Sequence, residues 1–227
     1  MPGFEGVYEL AEASRYLHAT APQKPPHYST FRRWVRSGLT VPEAPPIPAK
    51  GLFITFEDLV SLRMVVALRV AGFSLQHIRR VHRWLKDTTG YPRPFALRDL
   101  WISETDIFIE MENLLSVTRG GQYAMEFIKE WLSRLRRPLA GSLDLAFRRV
   151  DGKEVACSWM PHSHVSLNPL IHFGAPCIEG TRIPTTAVWA MFLGGDKPEA
   201  IARDYGLPLI KVQSSLEWEK KIANLVS

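Results

Sequence analysis

A chain of 227 residues, 46% hydrophobic and 22% charged, has the composition of an ordinary soluble globular protein with room for one large or two small domains. It holds no apolar run near the roughly 18 residues of a membrane span, and Pro2, Glu5 and Glu9 interrupt anything like a signal peptide, so a cytoplasmic location is expected. The net charge of +5 sits in the first ninety residues, which carry 12 Lys and Arg against 7 Asp and Glu, whereas 91–155 and 156–227 are each balanced. A polyanion would therefore be met there, because phosphate neutralisation by Lys and Arg is the sequence-independent part of nucleic-acid affinity.

In chain order, residues 8–17 carry Leu10, Ala13 and Leu17 at helical spacing. Ser29 reads as the N-cap of a helix over 30–37, with Gly38 at its C′ position. Phe31, Trp34 and Val35 form the apolar stripe of that helix, and Ser29, Arg32, Arg33 and Arg36 fall on the opposite side. Arginine forks suit phosphates and guanine edges, which is what the second helix of a helix-turn-helix requires. Residues 40–52 contain Pro42, Pro45, Pro46 and Pro48, cannot be helical, and suit an extended wing with Lys50 near the DNA backbone.

Thr55 and Asp58 then look like a capping box, with Ile54 and Leu59 as its hydrophobic staple. The helix behind them runs to Val70 with Leu59, Leu62 and Val66 inward. Ser74 caps another, with Ile78, Val81 and Leu85 inward and Arg79, Arg83 and Lys86 outward. The layout resembles the MerR-type winged helix, on Glu12-Ala13, Phe31-Arg32-Arg33-Trp34, Ser37-Gly38-Leu39, Phe56-Glu57-Asp58-Leu59 and Ala71-Gly72-Phe73-Ser74-Leu75. It departs from that pattern by an insertion over 19–27. The expected DNA-binding residues are Ser29, Thr30, Arg32, Arg33, Arg36 and Lys50.

Residues 95–111 alternate like strands. After Gly120-Gly121, an amphipathic helix presents Tyr123, Phe127 and Trp131 on a wide apolar face suited to a dimer contact or to plain core. Residues 143–150 and 153–159 read as a hairpin around Asp151-Gly152, a good type I′ pair.

Past Ser166 the turn signals Asn168-Pro169 and Gly174-Ala175-Pro176 lead into three short helices, over 186–193, 197–205 and from about 209 onward. Asp196 and Glu199 look like the capping box of the second, and the three make a helix-turn-helix-like unit. The run Phe173-Gly174-Ala175-Pro176-Cys177-Ile178-Glu179-Gly180-Thr181-Arg182-Ile183-Pro184 is similar to the signature of a small bacterial family. Joined to the MerR-like start, it resembles the VapB-type antitoxins of type II toxin–antitoxin (VapBC) pairs.

That resemblance implies a VapC-type PIN-domain ribonuclease toxin as partner, hetero-oligomers with it, and autorepression of the shared operon. Glu179, Gly180, Thr181, Arg182 and Trp189 are the residues expected to bind it. Arg182 has two readings: insertion among the toxin's carboxylates, or an ion pair with Glu179 or Asp204 that braces the turn. The second is favoured, since arginine beside a turn is usually structural.

Cys157 and Cys177 are too few for a disulfide scaffold. With His162, His164 and His172 they are crowded, yet no spacing among them matches a zinc site, and no metal or cofactor is expected. No nucleotide loop, nucleophile elbow or paired carboxylates suggest an enzyme. The expectation is a mainly α chain with a smaller β part (α+β). It is divided into a winged-helix DNA-binding domain (1–90), a central α+β dimerisation segment (91–160) and a trihelical toxin-binding domain (161–227). It would act as a homodimeric operator-binding antitoxin; the rival reading is a MerR-like ligand-sensing regulator without a toxin, its pocket walled by Trp101, Phe108, Tyr123 and Trp131.

Overall fold

A computed structural model describes residues 6–20, 26–38, 51–70, 73–98 and 144–225. The architecture is α+β, with seven helices and two small antiparallel sheets among the described residues. The first sheet pairs β1 (Val7–Glu9) with β2 (Phe53–Thr55), Tyr8 lying opposite Ile54. Tyr8 therefore belongs to a strand rather than to the first helix. The strand's alternation turns its ring inward, where the hydroxyl donates to the Gly174 carbonyl at 2.9 Å. Helix α1 (Leu10–Thr20) starts immediately after β1 and buries Leu10, Ala13 and Leu17 as their spacing predicts.

Helix α2 (Tyr28–Arg36) begins two residues earlier than Ser29 suggests. His27 is the N-cap, its ring accepting from the Ser29 backbone N–H at 3.3 Å, so Ser29 is a first-turn residue. The helix ends as expected at Gly38, whose φ of +67° only glycine adopts freely.

Helix α3 (Phe56–Val70) opens on the predicted capping box: the Thr55 N–H donates to Asp58 Oδ2 at 3.0 Å, and the Asp58 N–H to Thr55 Oγ1 at 3.2 Å. The Asp58 side chain has no exposure, and its second oxygen accepts from Arg93 Nε at 2.8 Å, so a buried carboxylate is both capped and paired. Helix α4 (Leu75–Thr89) follows, with Ile78, Val81 and Leu85 inward. Beyond it residues 94–96 make a short 3-10 turn, and Leu97 only bridges to Val155, so the start of the strand-like stretch is not a strand. The rest of that stretch, from 99 to 111, lies outside the described residues.

The second sheet runs in the order β3 (Leu145–Val150), β4 (Lys153–His162), β5 (Val165–Leu167), β6 (Pro176–Ile178). Asp151 and Gly152, both at positive φ, close the β3–β4 hairpin as a type I′ turn must. Helices α5 (Thr185–Leu193), α6 (Pro198–Asp204) and α7 (Leu209–Ala223) complete the fold. The Asp196–Glu199 capping box does not form: Lys197 is the N-cap and makes no side-chain bond, and Pro198, with φ already helical and no N–H to satisfy, starts α6 instead.

Packing runs across the expected boundaries at 90 and 160 among the described residues. A single core cluster takes in α1 to α4, Leu145, Val155 and Trp159 of the hairpin, Val165 and Leu167 of β5, and Trp218 of α7. The Tyr16 and Trp218 rings lie 5.7 Å apart. Arg63 of α3 grips both oxygens of Asp144 at 2.9 Å while its guanidinium covers the Trp159 ring at 5.0 Å. Trp159 Nε1 donates to the same carboxylate at 3.1 Å. The three expected segments thus share one hydrophobic interior. Among the described residues, Ile178 of β6 and Val188, Ile201, Ala202, Val212 and Leu216 of the C-terminal helices form a second, smaller cluster.

One buried group sets a pH dependence. His82 of α4 sits edge-on to Phe95 with centroids 5.1 Å apart, and burial, helped by Lys86, lowers its pKa to about 4. The unfolded chain, with histidine near 6.5, binds the proton first. Stability is therefore complete above about pH 6.5 and falls on the order of 3 kcal/mol as the pH drops to about 4. Thermal unfolding across that range is expected to show the loss, and His82→Leu to remove most of the slope.

Candidate functional site

The first site is the outer face of α2. Phe31, Trp34 and Val35 are buried, and Phe31 and Trp34 meet edge-to-face at 5.5 Å, which fixes the rotation of the helix. That rotation leaves Ser29, Arg32, Arg33 and Arg36 exposed on the other side, with Thr30 half-buried. Arg33 and Arg36 occupy the last turn, where cations complement the negative end of the helix dipole. Lys50, the expected wing contact, lies outside the described residues.

The face does not end with α2. Ser37, its C-cap residue, donates to the Trp34 carbonyl at 2.9 Å and accepts from Arg79 Nη2 of α4 at 3.1 Å. Arg80 and Arg83 are exposed on the same helix as Arg79. Two helices thus contribute to one arginine-rich surface. The helical spacing of Arg79 and Arg83 signals an outward face in the sequence, but its junction with Ser37, 42 residues away, is a tertiary fact.

The second site is the turn between β6 and α5. The Ile178 N–H donates to the Ile183 carbonyl at 2.9 Å, and Gly180 takes a φ of +75° at the tip. Thr181 braces it: its hydroxyl donates to the Ile178 carbonyl at 2.8 Å and accepts from the Ile183 N–H at 3.1 Å. Lys211 of α7 adds a bond from Nζ to the Glu179 carbonyl at 2.8 Å, and the Glu179 carboxylate lies 2.9 Å from His164 Nδ1.

Arg182 takes no part in this bracing. It is exposed, and among the described residues it pairs with neither Glu179 nor Asp204. The favoured bracing role for Arg182 is therefore corrected: Thr181 and Lys211 hold the turn, which leaves the guanidinium pointing to solvent. Trp189 is half-buried and stacks on Phe192 at 5.7 Å. Glu219 of α7 is buried and hydrogen-bonded to Thr185; burial raises the pKa of its carboxyl.

The dimer residues Tyr123, Phe127 and Trp131 lie outside the described residues. Among the described residues no helix is long and apolar enough to cross a membrane, and no three His, Cys, Asp or Glu side chains are grouped to hold a metal. Cys177 is buried in β6, Cys157 is half-buried in β4, and His162 contacts Glu217 at 3.3 Å.

Residues 165–218, from β5 to α7, match the family model described as a protein of unknown function, DUF433. That span holds the braced turn and the second hydrophobic cluster. The crystal structure of Rv2018 from Mycobacterium tuberculosis superposes with a TM-score of 0.63, covering 92% of this chain and 96% of that one at 20% identity, a likeness of fold. The uncharacterized protein Rv2308 of M. tuberculosis is 34% identical over 245 residues, covering 97% of this chain and 94% of its own length. With the match running over 97% of its length, the chain belongs to the family of Rv2308.

Proposed function

We propose that the protein is a DNA-binding antitoxin whose N-terminal helices form a winged helix-turn-helix of MerR type and whose C-terminal unit neutralises a PIN-domain ribonuclease. The observation that carries the DNA half is the surface in which Arg32, Arg33 and Arg36 stand clear of a buried stripe and run on, through Ser37, to Arg79. In this reading α2 enters the major groove, and Arg79 with Arg80 and Arg83 meets backbone phosphates beside it. The antiparallel β1–β2 pair would form the base of the wing.

The partner half rests on the resemblance of 173–184 to the antitoxin signature, on the match of 165–218 to DUF433, and on the outward Arg182. A solvent-facing guanidinium beside a rigid turn is preorganised to enter a cluster of carboxylates in a partner. Co-expression with the adjacent open reading frame tests this. A small ribonuclease should co-purify and be inactive in the complex. Arg182→Ala should restore RNA cleavage while thermal stability of the free protein stays unchanged, since no ion pair is lost. Inhibition unaffected by the substitution would remove Arg182 from the partner site.

A further inference from the structure

We infer that the exposed end of the C-terminal helices, where the last turn of α5 meets the first turn of α7, docks a second copy of this chain. It rests on the DNA-binding reading only for the expectation of two-fold symmetry. Helix α5 contains no charged residue, and a helix apolar on all sides is ordinarily covered on all sides. Only Thr185 and Val188 are buried, however, while Phe192 and Leu193 are 40% and 67% exposed.

Thr185 at the start of α5 is hydrogen-bonded to Glu219 near the end of α7, and Val188 shares a cluster with Val212 and Leu216. The two helices therefore run antiparallel, which sets Leu193 level with the first turn of α7 and its exposed Leu209 and Ile210. Among the described residues, five of the eleven large apolar side chains exposed to solvent fall between 192 and 210. Such a concentration marks a binding surface rather than scattered exposure.

The charges beside it favour a copy of this chain as the occupant. Asp196, Lys197, Glu199, Arg203 and Asp204 are all exposed and mix both signs, three acidic against two basic. A uniformly acidic or basic partner would gain nothing from such a rim. Under a two-fold axis charges of opposite sign can face each other, because an isologous interface pairs residue i with j and j with i. The solvent-facing Arg182 lies outside this patch in sequence, which leaves it available to a different partner.

Sedimentation equilibrium of the full chain over a wide concentration series tests the assignment without DNA or toxin. The wild type is expected to dimerise, and Leu193→Glu and Ile210→Glu each to weaken the dimer by about a hundredfold, since an apolar anchor is replaced by a buried charge. Val70→Glu, at an exposed apolar position on α3, should leave the dimer intact. Hydrogen exchange of the wild type gives a readout free of substitutions: amides around 192–195 and 209–211 should gain protection as concentration rises. A chain that stays monomeric, or a dimer unchanged in both glutamate variants with no protection at these amides, overturns the proposal. Operator half-site binding by a monomeric variant would show that the DNA reading stands independently of that outcome.

Discussion

Alanine at Arg32, Arg33 and Arg36 together is expected to lower operator affinity by at least about a hundredfold, because each base-reading arginine contributes roughly 1–3 kcal/mol. All three side chains are exposed, so the fold and its thermal stability should be unchanged. The single substitutions divide the roles. An arginine that reads a base edge relaxes sequence preference at one position, whereas one that meets a phosphate weakens all duplexes alike and reduces the salt slope by about one. Arg79→Ala should behave in the second way, with an added loss if its bond to Ser37 helps to aim the end of α2. Operator titrations at two salt concentrations measure both effects, and a triple variant with unchanged affinity would remove α2 from the DNA interface.

This surface was legible in the sequence because it rests on a local rule. Phe31, Trp34 and Val35 at spacings of three and four define one side of a helix, and the arginines occupy the other. The Thr55–Asp58 box and the Asp151-Gly152 turn were readable for the same reason: each is a contact between residues one to three apart. Where two local signals compete, the local rule alone does not decide between them. Ser29 looks like a better N-cap than His27, yet His27 holds the first turn through its ring, and Pro198 pre-empts the box offered by Asp196 and Glu199.

Non-local facts had no sequence signal. Three residues of β1 are too short a period to betray a strand, and only the pairing of Tyr8 with Ile54 makes one. Glu219 sits in a polar run of α7 and shows as buried only when α5 brings Thr185 to it. Arg182 beside a turn suggests bracing, and the structure gives that task to Thr181 and to Lys211, thirty residues further on. The division into three segments rests on charge, which changes near 90, and on the turn signals past Ser166, but the hydrophobic core runs across both boundaries.

That shared core leads to the expectation with the largest effect on stability. Trp218 of α7 has no exposure and packs on Tyr16 of α1 at 5.7 Å and on the His162 ring at 6.4 Å. Trp218→Ala should therefore cost about 3–5 kcal/mol, a large share of the 5–15 kcal/mol that holds a typical domain together. For a chain of this length that corresponds to a drop of about 6–20 °C in Tm. Because α1 supports α2 through the same cluster, the damage should appear at both ends of the molecule. Hydrogen exchange of helices α1 and α2 should rise along with that of α7, in one cooperative unit, and operator affinity should fall although Trp218 is remote in sequence from every arginine on α2. If α7 loosened while the amides of α1 and α2 kept their protection, the N-terminal helices would be an independent domain after all. The contacts argue otherwise, since the Tyr8 hydroxyl on Gly174 and the Arg63 clamp on Asp144 tie the same two halves together at separate points. A partner seated on the C-terminal helices would then press on a scaffold continuous with the helix that carries the arginines.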